Sequence, residues 1–126
     1  MTQRMLRAVE SPHVDILGHC TGRLIGRRAQ SSFDADYVFA ACQQFNTAVE
    51  LNSRPERLDP PEELLDVAIA YGCYFSIDSD AHATGQLEWQ PNGCNRAADR
   101  GVPLDRVINT WPAEQLLAWT AEAAAA

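Results

Sequence analysis

The chain has 126 residues, of which 46% are hydrophobic and 21% are charged, a composition typical of a single soluble domain with its own core. No stretch approaches the roughly 18 consecutive apolar residues of a membrane-spanning helix. The net charge is −7 and every basic residue is an arginine, which argues against sequence-independent nucleic-acid binding by this chain alone. We therefore expect a globular protein that does not enter a membrane.

The N-terminus and the cysteines indicate a reducing compartment. The polar segment Met1–Arg7 lacks the apolar core of a signal peptide, so we expect a cytoplasmic protein. The four cysteines are widely spaced and include no CxxC pair, which favours reduced thiols, mostly in the core, over a zinc site. They are Cys20, Cys42, Cys73 and Cys94.

Two strands and one helix are predicted in the first half of the chain. Apolar strands are expected over residues 14–18 and 48–51. Between them, residues 34–45 place apolar side chains at i, i+3, i+4 and i+7, which predicts a helix with one apolar face. These side chains are Val38, Ala41, Cys42 and Phe45.

The segment Asp59-Pro60-Pro61-Glu62 has the features of a helix start. Asp59 can accept hydrogen bonds from free amide groups as the N-cap, and Pro60 stands where no amide donor is needed. The carboxylate of Glu62 would lie near the positive end of the helix. This helix is predicted to end at Gly72, and residues 74–77 follow as the third strand.

The last third of the chain continues the alternation. A helix is predicted over residues 92–100, a short fourth strand at Val107-Ile108-Asn109, and a final helix from Pro112 to about Ala121. Strands that alternate with helices predict an α/β fold, with parallel strands joined by right-handed crossovers. We expect one α/β unit over residues 1–126, with four strands and about five helices.

The unusual polar residues follow the predicted strands. In parallel α/β sheets, side chains at the carboxyl ends of the strands meet at one rim, where ligands bind. In strand order they are His19; Glu50 and Asn52; Asp78, Asp80 and His82; and Asn109. Four βα units make only half of an eight-stranded barrel. We therefore expect a small open sheet, a half-barrel that pairs with a second copy, or a fragment of a longer protein.

Two short motifs at this rim carry ligands that a hydrolytic metal centre uses. Ser79-Asp80-Ala81-His82 supplies a carboxylate and an imidazole, and Gly18-His19-Cys20-Thr21-Gly22-Arg23 supplies a second imidazole. The alternatives are that Asp80 caps a helix and that both histidines are ordinary loop or surface side chains.

Arginines and a cysteine surround the first motif. Arg23, Arg27 and Arg28 could hold a phosphate through paired hydrogen bonds, or they could form a solvated loop. Cys20 could touch a metal, although packing as a buried thiol is the simpler role.

Three further polar residues have open roles. Glu50 could polarise a ligand histidine, or form an ion pair with an arginine such as Arg54 or Arg57. Asn52 could contact substrate or shape a turn. Asp78 adds a carboxylate beside the last motif, and its role is left open.

From about Met5 to Trp119, the chain resembles the PHP (polymerase and histidinol phosphatase) family. The similarity is closest to the C-terminal half of the PHP domain found in bacterial family X DNA polymerases. Motifs that occur in order at matching spacing carry the resemblance. They are residues 14–19 with 23–28, residues 49–52 with 57–59, residues 79–82, and residues 106–110 with 116–119.

The resemblance implies a distorted (β/α)7 barrel of the TIM type, with this chain as its C-terminal half. It implies that His19, Asp80 and His82 bind a divalent metal, Mn²⁺ or Zn²⁺, with Mg²⁺ as an alternative. Glu50 and Asp78 would then stand behind these ligands. The reaction implied is phosphoester hydrolysis by a metal-bound hydroxide, such as 3′–5′ exonuclease or phosphatase action on DNA ends.

The expected substrate contacts come from Arg23, Arg27 and Asn52. The departure from the family is large, because the HxH motif and the other N-terminal ligands are not in this sequence. We therefore expect a phosphoesterase site completed by a missing N-terminal half or by a homo-oligomer. The alternative is a catalytically incomplete scaffold or assembly module that binds at most one metal ion.

Overall fold

Helices and strands alternate along residues 1–125, the part of the chain that the computed structural model describes. The elements are α1 (Thr2–Glu10), β1 (Ile16–Leu17), α2 (Ala35–Gln44), β2 (Ala48–Asn52), α3 (Glu62–Ala70), β3 (Phe75–Asp78), α4 (Gln90–Arg100) and α5 (Ala113–Ala125). Short 3₁₀ segments occupy Thr84–Trp89, Leu104–Arg106 and Ile108–Thr110.

The three strands form one parallel sheet in the order β1-β2-β3. Ile16 pairs with Ala48 at one junction, and Asn52 pairs with Asp78 at the other. The expected α/β class with parallel strands is therefore confirmed. The sheet is open within the described residues, since β1 and β3 stand at its two sides.

One face of the sheet is apolar and covered by helices. Val49, Leu51 and Phe75 are fully buried, and Ile77 is nearly so. They join one core cluster with side chains of α1, α2, α3 and α4. Helix α4 lies close to the sheet at Gly93, where a Cβ atom would stand 2.3 Å from Ser53 Oγ and 2.7 Å from Ile77 Cγ2. Only glycine fits that contact.

The opposite face is apolar only near the amino ends of the strands. There a smaller cluster contains Ala48, Tyr74 and Ile108 together with Trp111 and Trp119. The rings of Tyr74 and Trp111 meet edge to face, with centroids 5.0 Å apart and an interplanar angle of 84°. Such pairs add to the energy of burial. Toward the carboxyl ends, this face becomes polar.

Most predicted elements are formed close to their expected bounds. Helix α2 begins after Asp34, whose side chain accepts a hydrogen bond from Tyr37 N. Helix α3 is followed by Gly72, which has a φ of +77° as a helix-ending glycine should. The first strand is shorter than expected, with only Ile16–Leu17 paired. Helix α1 was not among the helices placed from the sequence.

Two expectations about local structure are wrong. Asp59 does not cap α3, because Pro61 is the N-cap and makes no side-chain cap bond. Asp59 is instead fully buried and accepts hydrogen bonds from the loop after β1. A buried acceptor and an N-cap carry the same residue types, so sequence alone did not separate them.

The fourth predicted strand, Val107-Ile108-Asn109, is also wrong. Val107 makes a single parallel bridge to Phe75, and Ile108–Thr110 is a 3₁₀ turn. The Asn109 side chain replaces the missing ladder: its Oδ1 accepts from Ile77 N and its Nδ2 donates to Ile77 O, both at 2.8 Å. With a further donation from Gln90 Nε2 to Ile77 O at 2.5 Å, side-chain amides thus satisfy the Ile77 backbone where a strand would have paired.

The cysteines are free thiols, as expected, with Cys20, Cys42 and Cys73 buried and Cys94 exposed. None of the described helices is both long enough and apolar enough to cross a membrane.

Candidate functional site

All three candidate metal ligands line one open cavity at the carboxyl ends of the strands. His19, Asp80 and His82 share this cavity, of about 560 Å³, with other side chains. We call it the rim cavity. Its remaining lining residues are Leu24, Arg27, Arg54, Glu56 and Arg57.

Two of the candidate ligands sit in an unusual backbone conformation. His19 has a φ of +23° and Asp80 has a φ of +57°. Such values cost non-glycine residues energy and are found at functional sites more often than elsewhere. The carboxylate of Glu50 holds the first of these turns, because its Oε1 accepts the His19 amide hydrogen at 2.9 Å.

A row of buried and partly buried polar side chains lies on the face of the sheet opposite the helix-covered one, behind the cavity. Glu50 and Asn52 alternate along β2, and Ser76 and Asp78 alternate beside them on β3. Asn52 Nδ2 donates to Glu50 Oε1 at 3.1 Å, and Ser76 Oγ donates to Asp78 Oδ2 at 2.7 Å. Partial burial, and next a hydrogen bond with Asp78, raise the pKa of Glu50 to about 7. The Glu50 carboxyl group therefore holds a proton more readily near neutral pH than an exposed glutamate does.

Glu50 forms no ion pair with Arg54 or Arg57. Its oxygen bonds the His19 amide and Asn52, while Arg54 pairs with Glu56 and Arg57 with Asp80. Glu50 thus acts on His19 through the backbone of that residue. The structure shows no bond from Glu50 to the imidazole ring among the described contacts.

The ring of His82 is held by its own motif. His82 Nδ1 lies 2.8 Å from the carbonyl oxygen of Asp80 and 3.9 Å from its carboxylate. A carbonyl oxygen only accepts, so Nδ1 carries the hydrogen of this bond. The lone pair of the neutral ring is then on Nε2, the form in which a histidine binds metal.

The described residues do not by themselves fit a metal ion. Across residues 1–125, no group of three His, Cys, Asp or Glu side chains is close enough to hold one. In addition, Arg57 Nε lies 3.4 Å from Asp80 Oδ2, so a guanidinium already neutralises that carboxylate. The described residues bring three suitable donors to one cavity but do not form a complete coordination shell for a metal ion.

The expected substrate contacts lie in different places. Arg27 lines the rim cavity. Arg23 lines a neighbouring one, and its guanidinium donates to the carbonyl oxygens of Arg57, at 2.7 Å, and Leu58, at 2.5 Å. Asn52 is only 1% exposed, and its Oδ1 accepts from Arg54 N two residues on, which is the turn-shaping role.

The loop that carries His19 is fastened at Asp59. This buried carboxylate accepts from Thr21 N at 3.1 Å, Thr21 Oγ1 at 2.7 Å and Gly22 N at 3.1 Å.

Burial raises the pKa of the adjacent Cys20 thiol well above its usual range, which agrees with the packing role.

Sequence reasoning missed two residues of the cavity as candidate substrate contacts. Arg54 and Arg57 follow β2 and lie on the rim cavity, whereas Arg23 does not. Their position just past the carboxyl end of β2 was the available signal.

The chain is similar to three curated proteins. The chain is 38% identical over 107 residues to the DNA polymerase/3′-5′ exonuclease PolX of Bacillus subtilis. This alignment covers 85% of the chain and 19% of PolX. It is 30% identical over 122 residues to a probable phosphatase of Aliivibrio fischeri, covering 91% of this chain and 47% of the relative. A probable phosphatase of Vibrio parahaemolyticus is 25% identical over 116 residues, with 86% and 44% covered.

The chain thus spans less than half the length of each of these relatives. No family model matches it.

Proposed function

We propose that this chain is the C-terminal half of a metal-dependent phosphoesterase of the PHP family. Its substrate would be a phosphoester, with a DNA 3′ end or a small phosphomonoester as the two forms that the relatives' names suggest. The similarity to a 3′-5′ exonuclease and to two probable phosphatases supports the reaction class, since the names of all three describe enzymes that act on phosphoester bonds.

The observation that carries the proposal is the rim cavity. His19, Asp80 and His82 come from two separate loops, and all three line one cavity beside three arginines. A structural role alone gives no reason for two imidazoles, a carboxylate and several guanidiniums to share the carboxyl rim of a parallel sheet.

In this proposal, the three donors are one part of a ligand set. The other ligands would come from a segment outside this sequence or from a second copy, because the donors here do not surround an ion. A divalent metal bound there would supply the activated water of a hydrolase. This chain's own residues would orient the donors: Glu50 through the His19 backbone, and the Asp80 carbonyl through His82 Nδ1.

The test is hydrolysis by the full-length product of the gene that encodes this chain. Activity would be measured with Mn²⁺, Zn²⁺ or Mg²⁺ on p-nitrophenyl phosphate and on a DNA oligonucleotide with a labelled 3′ end. His82→Ala is the test variant, and His13→Ala is the matched control, since His13 is exposed and precedes β1. We expect His82→Ala to lose at least about a hundredfold in rate while His13→Ala keeps it.

Failure of the wild-type protein to hydrolyse either substrate with all three metals would contradict the proposal. So would equal losses in the two histidine variants.

A second candidate function is a non-catalytic scaffold. It is favoured by the ion pair between Arg57 and Asp80, which occupies a donor that a metal would need. Metal content separates the two functions. The protein is purified without chelator and its Mn and Zn are measured. A phosphoesterase would carry metal in the wild type and in His13→Ala but not in His82→Ala. A scaffold would show no metal that depends on His82.

A further inference from the structure

Positive charge is concentrated at the rim cavity of an otherwise acidic chain. The whole chain has a net charge of −7, yet Arg27, Arg54 and Arg57 line this one cavity against the carboxylates of Glu56 and Asp80. The local excess of cations favours an anion in the cavity even though the protein as a whole repels one.

Arg54 is held in place on several sides. Its Nε donates to Glu56 Oε2 at 2.5 Å, and its guanidinium carbon lies 5.2 Å from the centre of the Trp89 ring. An ion pair and an aromatic contact together fix the plane of the guanidinium. A fixed plane lowers the entropy lost when the group binds a ligand.

One edge of this guanidinium is left for a ligand. The Nη2 atom of Arg54 donates to no residue in the described part of the chain, as the bonds of Arg54 run from Nε and Nη1. The contact of Nη1 with His82 Nδ1, at 3.1 Å, is not a donation to that ring, because Nδ1 carries its own hydrogen toward the Asp80 carbonyl. Nη1 makes one long donation, 3.4 Å, to the Asp80 carbonyl oxygen, so the second Nη1 hydrogen and both Nη2 hydrogens are left to bind a ligand.

We propose that Arg54 binds the phosphoryl oxygens of the substrate directly, through this edge and without a metal ion. Paired N–H donors match two oxygens of a phosphate group, and charge-assisted bonds of this kind are strong. Arg57 supports the site by neutralising Asp80, which would otherwise repel the anion. The inference rests on the proposed function for the identity of the ligand, but the binding itself does not require catalysis.

The experiment is a titration of the chain with inorganic phosphate in the presence of EDTA. The arginine Nε–H signals are followed by NMR, which assigns binding to individual side chains. The test variants are Arg54→Gln and Arg54→Lys, the second of which keeps the charge and loses the paired donors. The matched control is Arg100→Gln, because Arg100 is exposed on α4 and forms ion pairs with Asp66 and Glu62.

We expect Arg54→Gln to weaken phosphate binding by roughly tenfold or more, and Arg54→Lys to weaken it nearly as much. Arg100→Gln should leave the affinity unchanged. Equal weakening by Arg54→Gln and Arg100→Gln, full affinity in Arg54→Gln, or no phosphate binding by the wild-type chain would each overturn the proposal.

Two parallel titrations identify the source of the phosphoryl group. Methyl phosphate stands for a terminal monoester, and dimethyl phosphate stands for an internal diester. Dependence on Arg54 for either anion supports the proposal and names the substrate form, and independence for both overturns it. Phosphate binding in EDTA can be present while metal-dependent hydrolysis is absent, so the two proposals fail separately.

Discussion

The two faces of the sheet differ in kind, although they share the same strands. On the helix-covered face, Val49, Leu51, Phe75 and Ile77 form a packed core from one end of the strands to the other. On the opposite face, an aromatic cluster covers the amino ends, and a row of carboxyl, amide and hydroxyl groups occupies the carboxyl ends.

The difference shows that alternate residues of the same strands have different roles: one set packs in the core, and the other carries the polar groups of the candidate site. Residues that point to the helices remove apolar surface from water, the main source of folding energy. The residues at the alternate positions form hydrogen bonds, whose net contribution to stability is modest, and include the Glu50 carboxyl group with its raised pKa. Substitutions on the two faces should therefore have effects of different size and type.

The largest expected effect is on the covered face. Leu51→Ala removes a fully buried side chain from the centre of the core and should lower the free energy of unfolding by roughly 2–5 kcal/mol. Ser76→Ala on the other face loses one hydrogen bond to Asp78 and should cost less than about 1.5 kcal/mol. Urea unfolding followed by circular dichroism measures both. Similar losses in the two variants would remove the proposed division between the faces.

A smaller effect is expected at the edge of β3. Asn109→Ala removes the two hydrogen bonds from Asn109 to Ile77. Gln90 still donates to Ile77 O, but the buried Ile77 N–H loses its acceptor, which should cost roughly 1–3 kcal/mol. Asn95→Ala is the control, because Asn95 is exposed on α4. Hydrogen exchange of the Ile77 amide gives the local readout: protection should fall in Asn109→Ala alone, and unchanged protection would mean that the side chain is not the edge partner.

The smallest effect depends on pH and belongs to the polar face. The pKa of Glu50 rises from 4.5 to about 7 on folding, mainly because of burial, so the folded state binds more protons than the unfolded state between these values. Stability should therefore fall as the pH rises through this window. In Glu50→Gln, the free energy of unfolding should fall by about 1–2 kcal/mol less than in the wild type across this pH window, after allowance for the partly exposed position.

The measurement is the free energy of unfolding at several pH values, with exposed Glu114→Gln as the control for loss of a carboxylate. If the free energy of unfolding of Glu50→Gln depended on pH as strongly as that of the wild type, a group other than Glu50 would be responsible for the pH dependence.

Much of the fold could be predicted from the sequence because local signals and burial agree in it. Of the helix-spaced side chains, Val38, Ala41 and Cys42 are buried on α2 as their periodicity indicates. The fourth, Phe45, is the C-cap residue and is 40% exposed, because the helix ends one residue before it. Helix α1 was missed because its first turn follows Met1 with no side-chain cap. The fourth strand was wrongly predicted because an apolar pair before Asn109 fits a strand and a 3₁₀ turn equally well.

The candidate site was only partly predictable. Parallel topology alone indicates that residues after β1 and β3 meet, and His19, Asp80 and His82 do line one cavity. The arginines that line the same cavity depend on the directions of their side chains. In a loop, the spacing of residues along the sequence does not determine these directions. Arg23 turns to loop carbonyls, whereas Arg54 lines the cavity.

The side-chain amide of Asn109 also decides the direction in which this sheet can grow. It occupies the backbone groups of Ile77 on the outer side of β3, so a further strand there would first have to displace it. The other side of the sheet is the two-residue strand β1, where Ile16 is 40% exposed. Among the described residues no strand lies beyond β1, so an additional strand, whatever its origin, would pair at β1 rather than at β3.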